Sequence, residues 1–353
     1  MTKNIVITGE TLTGKTMVAL GIAARLRSAG KKVGYYKPVG QRSFELSKSG
    51  QDIDEDASLM RDVLEMKVDM ECICPIVRTQ SSIDEFLKVG HEALLQRISE
   101  CHTKIAQGMD YVIVEGTKAP WHLLHIGLST AQIAKNLNAE VICLVNFPDI
   151  TAIDDILMQR DFFQSHCIEK VGIVLNMVPP MLKSIVSEKI EPFVRDNGMN
   201  FCGAIFANRE LFSPTIRDIQ RVLEGQMIHG QAKLDSLVDH FLVGSMAPEN
   251  ALKWFRRVKN KAVITGGDRA DICLAAMETD TKLLILTGGM GPDIRTLARA
   301  RELDVPMMMT AHDTYTAGRL VDGIVGTVNA EDKERIDAVE RIVGGAIDLE
   351  CIK

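Results

Sequence analysis

The sequence predicts an α/β protein: a parallel sheet with flanking helices, followed by a second, smaller α/β domain. Two observations carry that prediction. Short apolar runs at Ile5–Thr8, Val33–Lys37, Tyr111–Glu115, Val141–Val145, Val171–Leu175 and Phe201–Ile205 alternate with amphipathic stretches. Strands that are apolar on both faces and separated by helices make parallel, doubly covered sheets. The chain is also 353 residues long, beyond the usual ceiling for a single hydrophobic core, which favours two domains.

The first strand leads into a helix with apolar positions at Val18, Ile22 and Leu26, ending at Gly30, a good left-handed cap. A break follows in "GAIFANRELFSP" (Gly203–Pro214), where a strand exits into polar turn residues and Ser213-Pro214 can begin a new helix. The expected domains are therefore 1–211 and 212–353. Strands are expected in the second at Ala262–Thr265, Leu283–Thr287 and Pro306–Thr310.

The second domain contains an internal echo. "ITGGDRADI" (Ile264–Ile272) and "LTGGMGPDI" (Leu286–Ile294) share TGGxxxDI at an offset of 22 residues, and "MTAHDTYTAG" ends a third strand at Asp313. Each copy reads as a strand, a glycine turn and a helix start capped by Asp271 or Asp293. If these strands are neighbours, their carboxyl ends converge on one rim. Gly266, Gly267, Arg269, Gly288, Gly289 and Asp313 are then candidates for a second ligand site, with Arg269 facing an anion. The same residues also read as tight turns and caps alone.

With 46% hydrophobic and 25% charged residues and a net charge of −6, the chain is of ordinary globular composition with no excess of positive charge to neutralise many phosphates. Nucleic acid is not an expected partner. No apolar run approaches the ~20 residues of a membrane span, and the N-terminus enters a strand without a signal region, so a cytoplasmic protein with no membrane partner is expected. The eight cysteines are scattered, with one CxC and no CxxC, and are expected to be reduced thiols.

"GETLTGKT" (Gly9–Thr16) fits GxxxxGK[ST] between a strand and a helix. Gly9, Glu10, Thr11, Leu12, Thr13 and Gly14 form the backbone cradle of a P-loop, Lys15 reaches the β/γ-phosphates and the Thr16 hydroxyl ligates Mg²⁺. Glu10 stands where partition-type ATPases carry a second lysine. Instead, Lys37 ends the second strand in "YYKPVG", placed to stabilise charge developing on a phosphoryl or acyl-phosphate group. "DIDEDASLM" supplies Asp56 before a helix, "YVIVEG" ends a strand at Glu115 in a Walker B pattern, and "GIVLNMVPP" ends another at Asn176. "HLLH" (His122–His125) has metal-like spacing without a third ligand nearby. Trp121 reads as a ligand cover or a packed aromatic, and Asp154-Asp155 as the first turn of a helix.

The order GxxxxGKT, KPV, DA, VEG and strand-end Asn resembles the dethiobiotin synthetase branch of P-loop NTPases, which includes the cobyrinic acid diamide synthases. The closer likeness is to the dethiobiotin-synthetase-like N-terminal region of long phosphate acetyltransferases, and the second half resembles the DRTGG domain that follows it there. The resemblance covers nearly the whole chain and stops short of the acetyltransferase catalytic domain. It implies ATP and Mg²⁺ as cofactors, with Lys15 on phosphate, Thr16, Asp56 and Glu115 around the metal, Lys37 between the γ-phosphate and a second substrate, and Asn176 on the base. It also implies a homodimer. The departures fall on the acceptor side: "KPVG" continues as Gln41-Arg42, and "TKAPWHLLHIG" replaces a glycine-rich run. The expected function is a nucleotide-responsive sensor or scaffold that takes an unidentified small metabolite or docks a metabolic enzyme. The alternative is a ligase that phosphorylates a carboxylate or carbamate, with Lys15, Lys37 and Glu115 catalytic.

Overall fold

The computed structural model describes residues 2–11, 13–41, 53–78, 90–322, 324, 326, 328, 330 and 332–352; the expectations placed on Leu12, Arg42, Ser43 and Asp52 fall outside them. Two compact units result, one of residues 1–207 together with 328–353, the other of residues 208–327.

In the first unit the strands are β1 (Lys3–Gly9), β2 (Val33–Tyr36), β3 (Val39–Gln41), β4 (Ile76–Arg78), β5 (Tyr111–Glu115), β6 (Glu140–Asn146), β7 (Val171–Val178) and β8 (Asn200–Phe206). Six of them form one sheet in the order β2-β5-β1-β6-β7-β8, parallel throughout. Ile5, Val6 and Ile7 on β1 and Val112 to Val114 on β5 are all buried, as strands covered on both faces require. The short pair β3–β4 is separate and parallel, and neither strand is among those expected from periodicity. The predicted strands of the main sheet are all present.

Helix α1 (Lys15–Ser28) starts at Gly14, whose φ of 78° is left-handed. It ends where Gly30 N–H donates to Arg27 O at 2.8 Å and Lys31 N–H to Leu26 O at 3.0 Å, satisfying its last carbonyls as expected of the Gly30 cap. Helix α2 (Glu55–Val63) is capped by Asp54, which accepts from Ala57 N–H. Asp154 and Asp155 lie in the first turn of the helix Ile153–Ser165.

The C-terminal segment corrects the linear division at residue 211. The helix Lys333–Ala346 packs on α1, where a Cβ added to Gly21 would meet Val343 Cγ1 at 2.6 Å and Gly344 N at 3.2 Å. Arg25 donates to Gly344 O at 3.0 Å and also to Ile347 O. Ile347 then bridges to Gly203 of β8. This contact brings Cys202 and Cys351 together as a disulfide with Cα atoms 5.4 Å apart, so the expectation of reduced thiols fails at these two positions. The other six cysteines are free.

The second unit holds β9 (Gln226–His229), β10 (His240–Val243), β11 (Lys261–Gly266), β12 (Thr281–Thr287) and β13 (Met307–Met309), in the order β10-β11-β12-β13-β9 with only β9 antiparallel. Its core includes Val263, Ile264, Leu284, Ile285, Met307 and Met308.

Candidate functional site

The site is built at the carboxyl ends of β1, β2 and β5, which are neighbours in the sheet. Gly9 has no room for a side chain, because a Cβ would meet Leu144 O at 2.6 Å and Thr13 Oγ1 at 2.8 Å. Thr13 Oγ1 donates to Glu10 O at 2.8 Å and tightens the loop. Lys15 arches back over it, with Nζ donating to Gly9 O (3.1 Å) and Glu10 O (2.7 Å). Burial lowers the Lys15 pKa, opposed by Glu115.

Lys37 is buried, with 6% of its surface exposed, and its ammonium stands among three carboxylates: Asp56 Oδ2 at 2.6 Å, Asp54 Oδ1 at 2.9 Å and Glu115 Oε1 at 3.2 Å. Burial works against the Lys37 charge, but Glu115, Asp56 and Asp54 outweigh it and hold the pKa well above the usual lysine range. Glu115 is raised as well: its own burial pushes its pKa up, and Lys37 only partly offsets this. Asp56 is also raised by burial, yet Lys37 and Thr16 bring it below the ordinary carboxylate value. Thr16 Oγ1 donates to Glu115 Oε1 at 3.3 Å, and Tyr35 Oη to Glu115 Oε2 at 2.8 Å.

The structure thus gathers Lys15, Thr16, Lys37, Asp56 and Glu115 in one place. Sequence reasoning passed over two members, Asp54 and Tyr35. The signal for Tyr35 is its position two residues before Lys37, on the same strand face. For Asp54 it is the helix-capping position three residues before Ala57. Gly40 leaves room for Asp54, since a Cβ there would meet Asp54 Oδ2 at 2.6 Å, and Gln41 N–H donates to the same oxygen at 2.7 Å.

Asn176, expected to touch the base, lies beside the P-loop. Its Nδ2 donates to Thr13 O at 2.8 Å, supporting the P-loop from below, while its buried Oδ1 has no partner. The HLLH pair is not a metal centre in this structure: His122 lies against Arg78, and a guanidinium repels a cation. Among the described residues no group of three His, Cys, Asp or Glu side chains is arranged to hold a metal ion. The carboxylates that gather at Lys37 are held by its ammonium. Their donor chemistry nonetheless fits Mg²⁺, which takes carboxylate and hydroxyl oxygens, and Thr16, Asp56 and Glu115 are the residues that would hold it. Trp121 is 40% exposed and meets Phe162 edge to face at 6.1 Å.

In the second unit, β11, β12 and β13 are parallel neighbours, so their carboxyl ends do share one rim. Much of that rim is closed by its own bonds. Gly288 N–H donates to His312 O at 2.8 Å, Gly289 N–H to Thr310 O at 2.9 Å, and the Thr287 and Thr314 hydroxyls pair at 2.7 Å. Gly267 is required sterically, as a Cβ would meet Met290 O at 1.9 Å. Asp293 and Asp313 cap the following helices as expected. Asp271 does not: it binds Arg269 through two bonds of 3.0 and 3.1 Å, neutralising the cation assigned to an anion. Gly266 lies at the end of β11 on this rim.

A six-stranded parallel sheet with a lysine-bearing glycine loop after β1 and a carboxylate ending the adjacent strand defines a P-loop nucleotide-binding domain. The sequence comparison agrees, and the chain belongs to the family described as AAA domain, matched over residues 3–215, with a DRTGG domain over residues 218–324. It is similar to the N-terminal region of phosphate acetyltransferases. It is 25% identical to the phosphate acetyltransferase of Pseudomonas putida, over 95% of this chain and 49% of that protein. With the phosphate acetyltransferase of Synechocystis sp. it shares 26%, over 93% of this chain and 48% of the relative. The chain therefore spans about half the length of these relatives. ATP-dependent dethiobiotin synthetase BioD 2 of Salmonella typhimurium is 32% identical over 33% of this chain and 49% of its own. Among solved structures, the MinD cell division protein of Aquifex aeolicus matches 58% of this chain and 82% of its own at 17% identity and a TM-score of 0.37. The CBS and DRTGG domains of a Clostridium perfringens pyrophosphatase match 42% and 70% at 20% identity and a TM-score of 0.28.

Proposed function

We propose that this chain is a Mg-ATP-responsive regulatory module linked to acyl-phosphate metabolism. Its P-loop unit takes the nucleotide, and its DRTGG unit takes a small metabolite or docks a metabolic enzyme. The observation that supports this reading is the clasp of Asp54, Asp56 and Glu115 on Lys37. A nucleotide phosphate at the loop offers Lys15 and Lys37 a new anionic partner. Lys37 then exchanges carboxylate for phosphate, and the end of β2 moves with it. Mg²⁺, when bound at Thr16, Asp56 and Glu115, supplies charge neutralisation at the phosphate oxygens. ATP as the nucleotide is supported by the synthetase relative, and the metabolic link by the phosphate acetyltransferases. Cytoplasmic residence and a homodimer belong to the same proposal; among the described residues no helix is long and apolar enough to cross a membrane.

The second reading, ATP-dependent phosphorylation of a carboxylate, is favoured by the same Lys37, which directly follows β2 beside the P-loop as an acceptor-side cation should. The two separate in one experiment. Purified chain with Mg-ATP and a panel of small carboxylates is followed for ADP. Regulation requires ATP binding without carboxylate-dependent ADP, whereas ADP formation at enzymatic rates rejects it in favour of the ligase.

A further inference from the structure

Two features not absorbed by the P-loop chemistry, the end of β4 and the HLLH segment, meet in space. Arg78 pairs in register with Gln41 of β3, four residues beyond Lys37. His122 lies seven residues beyond Glu115, in a segment fixed by its own bonds: Thr117 Oγ1 to Ala119 O at 2.8 Å, and His122 N–H to Ala119 O at 3.0 Å. Arg78 Nη1 approaches His122 Nε2 at 2.9 Å and Nδ1 at 3.5 Å. A guanidinium only donates, so the imidazole accepts and is neutral.

Arg78 is half-buried, and among the described residues its side-chain hydrogen bonds go only to this ring. Burial lowers its pKa. His122 is brought down to about 4 by burial and then by Arg78, Lys118 and His125. The surroundings therefore hold three basic residues around one neutralised ring, reached from Lys37 through β3 and from Glu115 through residues 116–121. A solvated surface arginine would carry no desolvation cost. Among the described residues most of the five N–H donors of this half-buried guanidinium are unused, and its planar fork matches the bidentate geometry of a carboxylate.

We propose that Arg78, oriented by His122 and assisted by Lys118, is the receptor for a small carboxylate ligand on the acceptor side of Lys37. The P-loop reading gives this site its place, but carboxylate binding stands apart from whether ATP is turned over. The test uses the full chain, titrated calorimetrically with acetate, malonate and inorganic phosphate in separate arms, with Mg-ATP titration as a control for folding. Saturable binding of a carboxylate is expected, weakened about tenfold or more in Arg78→Gln, with the Mg-ATP isotherm unchanged. If Arg78→Gln loses the Mg-ATP response, Arg78→Lys replaces it. This variant keeps the charge without the fork, and weaker carboxylate binding is again expected. No carboxylate binding to the unmodified chain, a response to phosphate alone, or equal carboxylate affinity in the variant overturns the proposal. Carboxylate binding accompanied by ADP release supports the site while rejecting the regulatory reading.

Discussion

Lys37 is the residue on which the site turns. Removing it leaves Asp54 and Glu115 buried beside Asp56 without the ammonium that all three contact. Breaking a buried ion pair from one side costs about 3–5 kcal/mol. Lys37→Met should lose stability of that order at pH 7, measured by denaturant midpoint, and the deficit should shrink as the pH falls. The sign follows from proton binding: without the ammonium the folded-state carboxyl pKa values rise above the unfolded ones, so the folded form gains relative stability in acid. A deficit that grows in acid would contradict the triple clasp. His122 gives the opposite dependence. Its folded pKa of about 4 lies below the ordinary histidine value of 6.5, so the unfolded chain binds more protons between those values. Its contribution is complete above pH 6.5 and is lost as the pH falls toward 4, while Arg78, Lys118 and His125 face it throughout. His122→Gln should flatten that part of the stability profile, and an unchanged profile would place His122 outside this environment.

Among the elements, α1 joins nucleotide binding to the C-terminal helix. The P-loop sets its first turn, and Gly21 on its buried face lets Val343 and Gly344 approach. Gly21→Leu drives a side chain into that contact, and overpacking of this kind costs about 1–3 kcal/mol. The C-terminal helix should then become the first site of proteolysis under native conditions. Resistance equal to the parent would show that the contact is not close-packed. None of this was legible beforehand, because a lone glycine in a helical pattern does not reveal what packs on it. The long apolar strands of the main sheet were legible, as each is hydrophobic on both faces. β3, β4, β9 and β10 were not: β2 and β13 are as short but more deeply buried, whereas these four carry exposed or half-buried positions that interrupt the apolar run.

For the whole molecule, the sequence revealed the chemistry better than the chain path. Lys15, Thr16, Lys37, Asp56 and Glu115 were all identified because each occupies a strand end or helix start, positions that punctuation residues and apolar runs make visible. Asp54 and Tyr35 were missed because they act through Glu115 and Lys37, contacts that tertiary packing alone creates. The domain division was displaced because residues 328–353 return to the first unit, a long-range choice with no local signature. The Asn176 amide donates to the P-loop at Thr13 O, a contact that strand-end position alone does not announce. The central claim remains that this loop binds a nucleotide and that Lys15 holds its phosphates. Calorimetric titration of the full chain with Mg-ATP, beside Lys15→Ala, tests it most directly, and a ligand at 100 times its Kd also stabilises the fold by about 2.7 kcal/mol. Saturable binding that disappears in Lys15→Ala is expected; an isotherm that the substitution leaves intact would contradict the claim.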